Sequence, residues 1–477
     1  MNDSKKISIT GVSYIKIKTT PPLTIYMRYL FSFQQHKSSL SFYFQIIPLS
    51  FQMASSSHYH YHQDNDDDID LDTPFEEFFN NYAPIPEPKE RKKRIFIERH
   101  QEEGHKQLWN DYFSETPTYS SNLFRQRFRM NKSLFIRIVH RLSTEVEYFH
   151  QTQDALGRSS LSPLQKCTAA IRQLAYGSGA DTVDEYVRLA ETTARKCLHE
   201  FTVGIILLFG EEYLRRPTPE DLARLLHIGE QRGFPGMIGS IDCMHWEWKN
   251  CPTAWKGMYS RGTDKPTIVL EAVASYDLWI WHAFFGAPGT MNDLNILDRS
   301  PVFDDIINGI APEVKFNVNG TEYGMAYYLT DGIYPKWATF IQSIRLPQGP
   351  KNSLFAQTQE AVRKDVERAF GVLQARFTVV KNPSKLWDKD KISNIMRACI
   401  ILHNMIVEDE RASFTQFNTF EFQEREDEDS FSINMPSQLG NTMDRRTSLR
   451  NRQTHQHLKN DLIENIWSKF GHLPNDI

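Results

Sequence analysis

The sequence predicts an α/β fold in which a helical region precedes a region of strands and further helices. In the first part, apolar side chains recur at helical spacing at Leu134, Ile138 and Leu142, which indicates an amphipathic helix. In the second part, residues 267–276 form a nearly continuous apolar run with β-branched residues at its start, as is typical of a central buried strand. The change from helical to strand patterns falls near Gly236.

Residues 96–235 are predicted to be mostly helical. Ser162 and Pro163 provide an N-cap residue followed by a first-turn proline, a combination that favours a helix start. We expect this helix to end at Gly177. Two further helices, one short and one long, are predicted over 184–189 and 191–209.

The region after Gly236 is predicted to contain three strands joined by tight connections, followed by helices. The strands are expected over 237–248, 267–276 and 278–286. Further along, apolar side chains at helical spacing predict one helix around Glu367; the stripe consists of Val362, Val366, Phe370, Leu373 and Phe377. We also expect His403 and Asn404 to be a satisfied polar pair in an apolar helix.

The C-terminal part is predicted to combine an acidic segment and a docked helix. Six acidic residues lie between Glu421 and Asp429, which favours a flexible linker over 411–445; a solvated helix face is the alternative. Apolar residues between Leu458 and Phe470 then recur at helical spacing. We expect this last helix to pack back onto the body of the protein.

Composition limits the function classes. A chain of 477 residues, 40% of them apolar, is long enough for two or three structural units. The net charge of −4 excludes a globally basic protein, so any affinity for DNA must come from a local patch. Five scattered cysteines without a CxxC pair suggest neither a disulfide framework nor a zinc site, and indicate a reduced, intracellular protein.

The N-terminal residues are predicted to lie outside the folded body. Residues 1–52 contain neither a spanning helix nor a signal peptide, and we interpret them as an upstream extension from an over-long gene model that precedes Met53. Residues 54–95 are acidic and proline-rich, which favours disorder. The basic cluster at 89–94 is either a nuclear localisation signal or a solvated helix start.

Four acidic residues are candidates for a metal site. Asp242 lies in a predicted strand between apolar neighbours, where an unpaired carboxylate is costly to bury and a bound cation removes that cost. Asp293 follows a turn, and the alternative to a metal-binding role is that it caps a helix N-terminus. The alternative for Glu367 is a surface Glu–Arg pair, and the alternative for Asp331 is stabilisation of a turn. Because roughly 50 and 75 residues separate Asp242, Asp293 and Glu367, only folding can gather them.

The sequence around these residues resembles the plant PIF/Harbinger-type transposases, a family of DDE endonucleases. The motifs that carry the resemblance occur in order at 239–246, 266–274, 289–295, 364–373 and 399–406. The resemblance runs from about Ser133 to Glu410. It implies a ribonuclease-H-like catalytic domain preceded by a helical, helix-turn-helix-like region. The expected organisation is an N-terminal extension, a helical DNA-binding-like region, a DDE endonuclease domain, and an acidic linker with a C-terminal helix, over 1–95, 96–235, 236–410 and 411–477.

The resemblance also implies which residues act. Asp242, Asp293 and Glu367 would be catalytic and, with Asp331, would hold divalent cations, Mg²⁺ or Mn²⁺, for phosphodiester hydrolysis. By this resemblance Asp242 would bridge two metals, and Asp293 and Glu367 would each bind one. Asp331 lies in Thr-Asp-Gly-Ile-Tyr-Pro, whereas many relatives have Asp-Ser-Gly-Tyr-Pro, so its assignment departs from the family pattern.

Basic residues near these motifs are candidates for DNA contacts. Arg188, Arg195 and Lys196 lie in the segment that resembles a helix-turn-helix and could face phosphates. The alternative is a helical bundle with an ordinary solvated face. The resemblance also places Arg363 and Arg368 near the DNA backbone.

The predicted function is that of a metal-dependent DNA endonuclease or transposase in the nucleus. The family usually works with a separate Myb-like DNA-binding protein, so DNA and such a protein are the expected partners; a homo-oligomer is a further possibility, and no membrane is involved. One alternative is a domesticated, non-catalytic protein that keeps the fold to bind DNA or chromatin proteins. Another is a hydrolase of small phosphoesters.

Overall fold

The computed structural model describes residues 8–9, 12–13, 98–153, 155, 157–262, 265–418, 431–436 and 441–472. The chain divides into two compact units, Met1–Lys93 and Arg94–Ile477. In the first unit, strands β1 (Ser8–Ile9) and β2 (Val12–Ser13) pair antiparallel. The predicted extension over 1–95, with its acidic run, basic cluster and start-site hypothesis, lies outside the described residues apart from these two strands.

The second unit begins with the predicted helical region. Its α-helices are α1 (Gln101–Tyr112), α2 (Ser121–Phe128), α3 (Lys132–Glu145), α4 (Pro163–Tyr176), α5 (Asp184–Val187), α6 (Glu191–Tyr213) and α7 (Pro219–Gln231). Short 3₁₀ helices lie at Glu147–Phe149 and Ala180–Val183.

Local sequence explains where two of these helices begin and one ends. The Ser162 hydroxyl accepts a hydrogen bond from the Gln165 N–H, and the Gln165 side chain accepts one from the Ser162 N–H. This capping box satisfies two amide donors at the start of α4. Thr218 and Asp221 form the same arrangement at α7. Helix α4 ends at Gly177, whose φ of 60° places it in the left-handed region that glycine favours.

The middle of the second unit is a five-stranded mixed sheet. Its strands are β3 (Met237–Glu247), β4 (Thr267–Ala274), β5 (Ile280–Pro288), β8 (Tyr327–Thr330) and β9 (Phe340–Gln342). The order across the sheet is β5-β4-β3-β8-β9. Strands β3, β4 and β5 are antiparallel neighbours, whereas β8 runs parallel to β3 and to β9. The three predicted strands are therefore present, and β3 rather than β4 is the central strand.

Other elements surround this sheet. The helices are α8 (Thr253–Tyr259), α9 (Asp293–Leu297), α10 (Asp304–Ile307), α11 (Gly349–Arg363), α12 (Asp365–Arg376), α13 (Thr378–Lys381) and α14 (Lys389–Asn418), with a 3₁₀ helix at Pro301–Phe303. A second sheet has the order β10-β6-β7, formed by Phe431–Asn434, Glu313–Val318 and Thr321–Tyr323. The last helices are α15 (Thr442–Leu449) and α16 (Arg452–Phe470).

Two elements differ from the predictions. The single helix expected around Glu367 is divided at Lys364 into α11 and α12. In addition, β10 lies inside the segment 411–445, for which a linker was predicted, α15 begins in it, and α14 extends into it as far as Asn418. Strand β10 forms because its residues pair with β6, a contact distant in sequence that local composition does not reveal.

The helical region and the strand region share one core, so the boundary expected between 235 and 236 does not separate two compact units. Helix α6 packs against α14 through residues such as Phe201 and Ile205. Asn404 of α14 joins both regions, because its amide nitrogen donates to Tyr213 O and Ile280 O at 2.8 Å each and its oxygen accepts from Ile280 N at 2.9 Å. His403 also has a partner, Leu278 O at 2.8 Å, which confirms the predicted satisfied pair.

Helix α16 docks onto the second unit as predicted. Leu458, Leu462 and Ile466 are buried in a second apolar cluster together with Phe234 and Phe316. All five cysteines are free. Within the described part of the chain, no helix combines the length and apolar character needed to cross a membrane.

Candidate active site

Asp242 lies near the middle of the central strand β3. Its Oδ1 accepts a hydrogen bond from the Cys243 N–H at 2.8 Å, and its Oδ2 lies 3.2 Å from Arg363 Nη1. Only 20% of the side chain is exposed. The predicted strand therefore presents a largely buried carboxylate to the helix α11, where Arg363 is the last residue.

The environment of Asp242 disfavours its charged form. Burial raises the pKa of this carboxyl from 3.8 to about 6, although the Cys243 N–H and Arg363 oppose the rise. The charges of Asp331 and Glu367 raise the pKa further. A group whose charge is destabilised by burial and by like charges is one that a bound cation would stabilise strongly.

Glu367 lies in the first turn of α12 and is 44% exposed. Its Oε1 lies 2.9 Å from Arg363 Nη1, one helical turn earlier. The predicted alternative, a surface Glu–Arg pair, is thus present. The same guanidinium nitrogen also contacts Asp242, so Arg363 links the two candidate carboxylates.

The first turn of α12 is fixed by a buried carboxylate. Asp365 is only 2% exposed and lies 2.5 Å from Arg232 Nη1; it also pairs with Arg368. Because one carboxylate is held by two guanidinium groups, the start of the helix that carries Glu367 has a defined position. Sequence analysis did not identify this role of Asp365, since its partner Arg232 is 133 residues away in the chain.

Asp331 directly follows β8, the strand next to β3. The parallel register pairs Gly239 with Tyr328 and Ser240 with Leu329, and its continuation brings Asp331 level with Asp242. The charge of Asp331 raises the pKa of both Asp242 and Asp293. Its Oδ1 also accepts a hydrogen bond from the Ile333 N–H at 2.9 Å, so it stabilises the turn as well.

Asp293 is the first residue of the short helix α9. The N-cap is Asn292, whose side chain accepts from the Asn295 N–H at 2.9 Å, so Asp293 does not serve as the cap. Burial and then the charge of Asp331 raise the pKa of Asp293, while a hydrogen bond with the Cys243 side chain and the charges of His245 and Arg261 oppose the rise.

A polar cluster lies on the side of β3 where Cys243 is found, and sequence analysis did not predict it. Burial, followed by the charges of Asp293 and Glu271, raises the pKa of the Cys243 thiol. Glu271 is fully buried, 3.5 Å from His282 Nε2. The pairing of β3 with β4, which sets Cys243 beside Glu271, could have been expected only once the strand register was known.

The donor set fits a hard divalent cation in chemistry. Asp242, Asp293, Asp331 and Glu367 supply only oxygen ligands, which Mg²⁺ and Mn²⁺ prefer, and burial followed by neighbouring carboxylates raises the pKa of Asp242 and of Asp293. In the described part of the chain, no three His, Cys, Asp or Glu side chains are grouped closely enough to hold a metal ion. Asp331 and Glu367 act on the charge of Asp242, Asp331 also acts on Asp293, and Arg363 lies between Asp242 and Glu367.

His245 has a hydrogen-bond partner outside this donor set. Its Nδ1 lies 3.0 Å from Thr267 Oγ1, and burial lowers its pKa. Because successive side chains of a strand point to opposite faces, His245 and Asp242 lie on different faces of β3.

The predicted DNA-binding residues fall in two places. Arg363 and Arg368 lie beside the carboxylates, paired as described above. Arg188, Arg195 and Lys196 lie in the helical region and are exposed. Arg195 pairs with Glu191 one turn away, and the Lys196 ammonium lies 5.0 Å from the centre of the Tyr148 ring. These contacts are compatible with a solvated helix face, and the DNA-binding role of this segment stays a prediction.

Comparison with known families gives a match over the candidate site. Residues 211–414 match the family described as plant transposon protein. This match confirms the resemblance to plant PIF/Harbinger-type transposases. The matched range contains all four candidate carboxylates and both elements on which Arg363 and Glu367 lie.

Relatives with curated names agree with this family. The chain is 21% identical over 260 residues to "Putative nuclease HARBI1" of Bos taurus, an alignment that covers 52% of this chain and 68% of the relative. The proteins of the same name from Homo sapiens and Rattus norvegicus are each 19% identical over 253 residues, with the same coverage.

Two further comparisons add little about the site. Residues 104–143, within the helical region, match a family described as a domain of unknown function, DUF8418. No solved structure matches the chain. The mixed α/β architecture therefore comes from the structure itself.

Proposed function

We propose that this protein is a divalent-metal-dependent endonuclease that cuts DNA phosphodiester bonds, with a ribonuclease-H-like catalytic domain and a DDE-type site. The observation that carries the proposal is the meeting of carboxylates around the central strand. Asp242 contacts Arg363, which contacts Glu367, and the charges of Asp331 and Glu367 reach Asp242.

The strand order supports the ribonuclease-H-like assignment. Three consecutive antiparallel strands, β3 to β5, are extended on the side of β3 by two parallel strands, β8 and β9. In this arrangement the carboxylate of the first strand, Asp242, and the carboxylate after the fourth, Asp331, lie on adjacent strands. The helices that follow β9 then bring Glu367 to the same region.

The site residues have distinct expected roles. Asp242, Asp331 and Glu367 would hold the cations, with Asp293 completing the donor set. The bound ions would supply an activated water and stabilise the departing oxygen. The Cys243 N–H fixes Oδ1 of Asp242, and Oδ2 faces Arg363, which also contacts Glu367. Asp365 positions Glu367 by anchoring the first turn of α12.

The register of β8 on β3 makes Asp331 a stronger candidate for a metal ligand than its motif suggests. Its motif departs from the family pattern, which suggested a smaller role for this residue than for the other three. Its position on the strand adjacent to Asp242, together with its influence on the pKa of two carboxyls, supports a ligand role equal to that of Asp242.

DNA is the proposed substrate, and the nucleus is the proposed compartment. A nuclear role accords with the plant transposon protein family and with the nuclease name of the relatives. A Myb-like DNA-binding partner would supply sequence recognition, because Arg195 already pairs with Glu191 and Lys196 already lies over the Tyr148 ring. Strand transfer by the free 3′ end, and a homo-oligomer to hold two DNA ends, belong to the same proposal.

One observation favours the non-catalytic alternative. Arg363 occupies the space between Asp242 and Glu367, so its positive charge offsets part of their negative charge without a metal. A domesticated protein that binds DNA or chromatin proteins could keep this arrangement as a purely structural ion pair.

Nicking of supercoiled plasmid separates these functions. We expect the full-length protein to convert plasmid to open circles in Mg²⁺ or Mn²⁺ and to be inactive in EDTA. Asp331→Asn removes the ligand charge and should abolish nicking. Asp298→Asn, an equivalent change at an exposed residue just after α9, should leave it unchanged. Equal nicking by wild type and Asp331→Asn, or nicking in EDTA, would contradict the proposal.

A further inference from the structure

Arg363 has two carboxylate partners at a position where the proposed function requires cations. It is the last residue of α11, and only 16% of its side chain is exposed. Its Nη1 atom lies 3.2 Å from Asp242 Oδ2 and 2.9 Å from Glu367 Oε1. The same nitrogen thus approaches one oxygen of each carboxylate.

With this contact, each oxygen of Asp242 has a donor. The Cys243 N–H donates to Oδ1, and the guanidinium faces Oδ2. A metal ion that binds Oδ2 would therefore lie beside the Arg363 guanidinium. The metal ion and the positively charged guanidinium would also repel each other at this distance. Partial burial of the site strengthens this repulsion, because it weakens screening by water.

The backbone gives Arg363 a place from which its side chain can leave. Helix α11 ends at Arg363, and α12 begins at Asp365 after the single residue Lys364. Asp365 and Arg232 hold the start of α12 independently of Arg363. Loss of the contact between Arg363 and the carboxylates therefore does not require α12 to move.

We infer that Arg363 is an internal substitute for the metal, which offsets part of the negative charge of Asp242 and Glu367 in the metal-free protein and is displaced from them when a divalent cation binds. The inference rests on the proposed function, since it assumes that these carboxylates bind metal. Arg363 is then a positioning residue: it keeps two repelling carboxylates in place and lowers the affinity of the empty site for metal. The displaced guanidinium, a planar group suited to phosphate, would lie beside the DNA backbone.

The test is a calorimetric titration of the full-length protein with Mn²⁺ alone at pH 8. At this pH Asp242, with its pKa of about 6, is ionised, so proton competition does not obscure the result. Arg363→Gln removes the competing charge, and we expect its dissociation constant for Mn²⁺ to fall on the order of tenfold. Arg363→Lys keeps a positive charge but not the planar guanidinium, and its dissociation constant for Mn²⁺ should lie between those of the wild type and Arg363→Gln.

The matched control is Arg141→Gln. Arg141 forms the same kind of pair with a glutamate one turn later, Glu145 at 2.8 Å, but lies in α3 away from the carboxylates. Its Mn²⁺ affinity should equal that of wild type. Circular dichroism of each variant checks that the fold is kept, and Arg363→Lys provides the test if Arg363→Gln does not fold.

The outcomes distinguish the two proposals. Tighter Mn²⁺ binding by the Arg363 variants and not by Arg141→Gln supports the substitution of metal by Arg363. If the wild type binds Mn²⁺ and the folded Arg363 variants bind it with the same or a lower affinity, this inference is wrong. That result does not contradict the proposed metal-dependent nuclease. Absence of Mn²⁺ binding in all variants overturns the proposed function, and this inference with it.

Discussion

Replacing Asp242 by asparagine should stabilise the metal-free protein at pH 8. Folding raises the pKa of this carboxyl from 3.8 to about 6, with burial as the largest cause. At pH 8 the group is charged in both the folded and the unfolded state, so the folded state bears the cost of the buried charge. A difference of about 2 in pKa corresponds to about 3 kcal/mol. Asparagine has no charge and keeps an oxygen for the Cys243 N–H.

The full gain will not be realised, because the asparagine amide nitrogen can face Arg363 Nη1, which now lies 3.2 Å from Asp242 Oδ2. We therefore expect Asp242→Asn to raise the free energy of unfolding by about 2 kcal/mol, or the melting temperature by roughly 4 °C. Differential scanning calorimetry in EDTA measures this change.

The pH dependence provides an internal check. A carboxyl with a raised pKa in the folded state contributes stability that is present below its unfolded pKa and is lost as the pH rises through its folded pKa. The wild type should therefore lose stability from this group between about pH 4 and pH 7. The advantage of Asp242→Asn should accordingly shrink when the comparison is made at pH 4.5.

Asp365→Asn is the matched contrast. That carboxylate is buried too, but Arg232 and Arg368 both hold it. Its replacement leaves the partly buried Arg232 guanidinium without its carboxylate partner and should destabilise the protein by about 2 kcal/mol or more. If Asp242→Asn destabilises the metal-free protein at pH 8 as Asp365→Asn does, Asp242 is a structural ion-pair residue, and burial of its charge does not cost the folded state stability.

Three further predictions address other parts of the molecule. Glu367→Gln should lower the plasmid-nicking rate by about a hundredfold or more with little change in melting temperature, whereas Glu360→Gln on α11 should nick normally; equal rates would exclude Glu367 from the site. If the helical region contacts DNA, Arg195→Ala with Lys196→Ala should reduce the log–log salt slope of DNA binding by roughly one per lost phosphate contact, and an unchanged affinity and slope would identify a bundle face. Burial lowers the pKa of His403 to about 3, so its contribution to the free energy of unfolding is lost as the pH falls below 6.5. Urea unfolding of His403→Gln should therefore show a smaller loss of this free energy between pH 6.5 and 5 than the wild type, and equal losses would refute the prediction.

The sequence predicted the elements whose signals are local. The capping residue Ser162, the buried strand β4 and the stripe of apolar residues around Glu367 depend on neighbours within a few positions, and the structure contains all of them. The motif that contains Asp242 was recognisable for the same reason.

The geometry of the site could not be predicted in this way. Arg363 reaches Asp242 across 121 residues of sequence, and Asp331 comes level with Asp242 only through the parallel pairing of β8 with β3. Strand β10 likewise exists because it meets β6. In each case the deciding contact joins distant segments, and composition shows only that an acidic or a basic residue is present.

The docking of α16 has a consequence for damaged copies of this gene. The helix lies beyond residue 414, where the match to the plant transposon protein family ends, yet its leucines complete the apolar cluster around Phe234 and Phe316. His455 is buried and its Nδ1 lies 2.9 Å from Phe340 O in β9, and Asn465 Nδ2 donates to Gly233 O. A stop codon anywhere between 415 and 451 would spare every candidate carboxylate and still leave this cluster open to water. An allele with such a stop codon would look intact if only its acidic motifs were inspected. Its product would expose the apolar cluster and would be a substrate for the protein quality-control machinery.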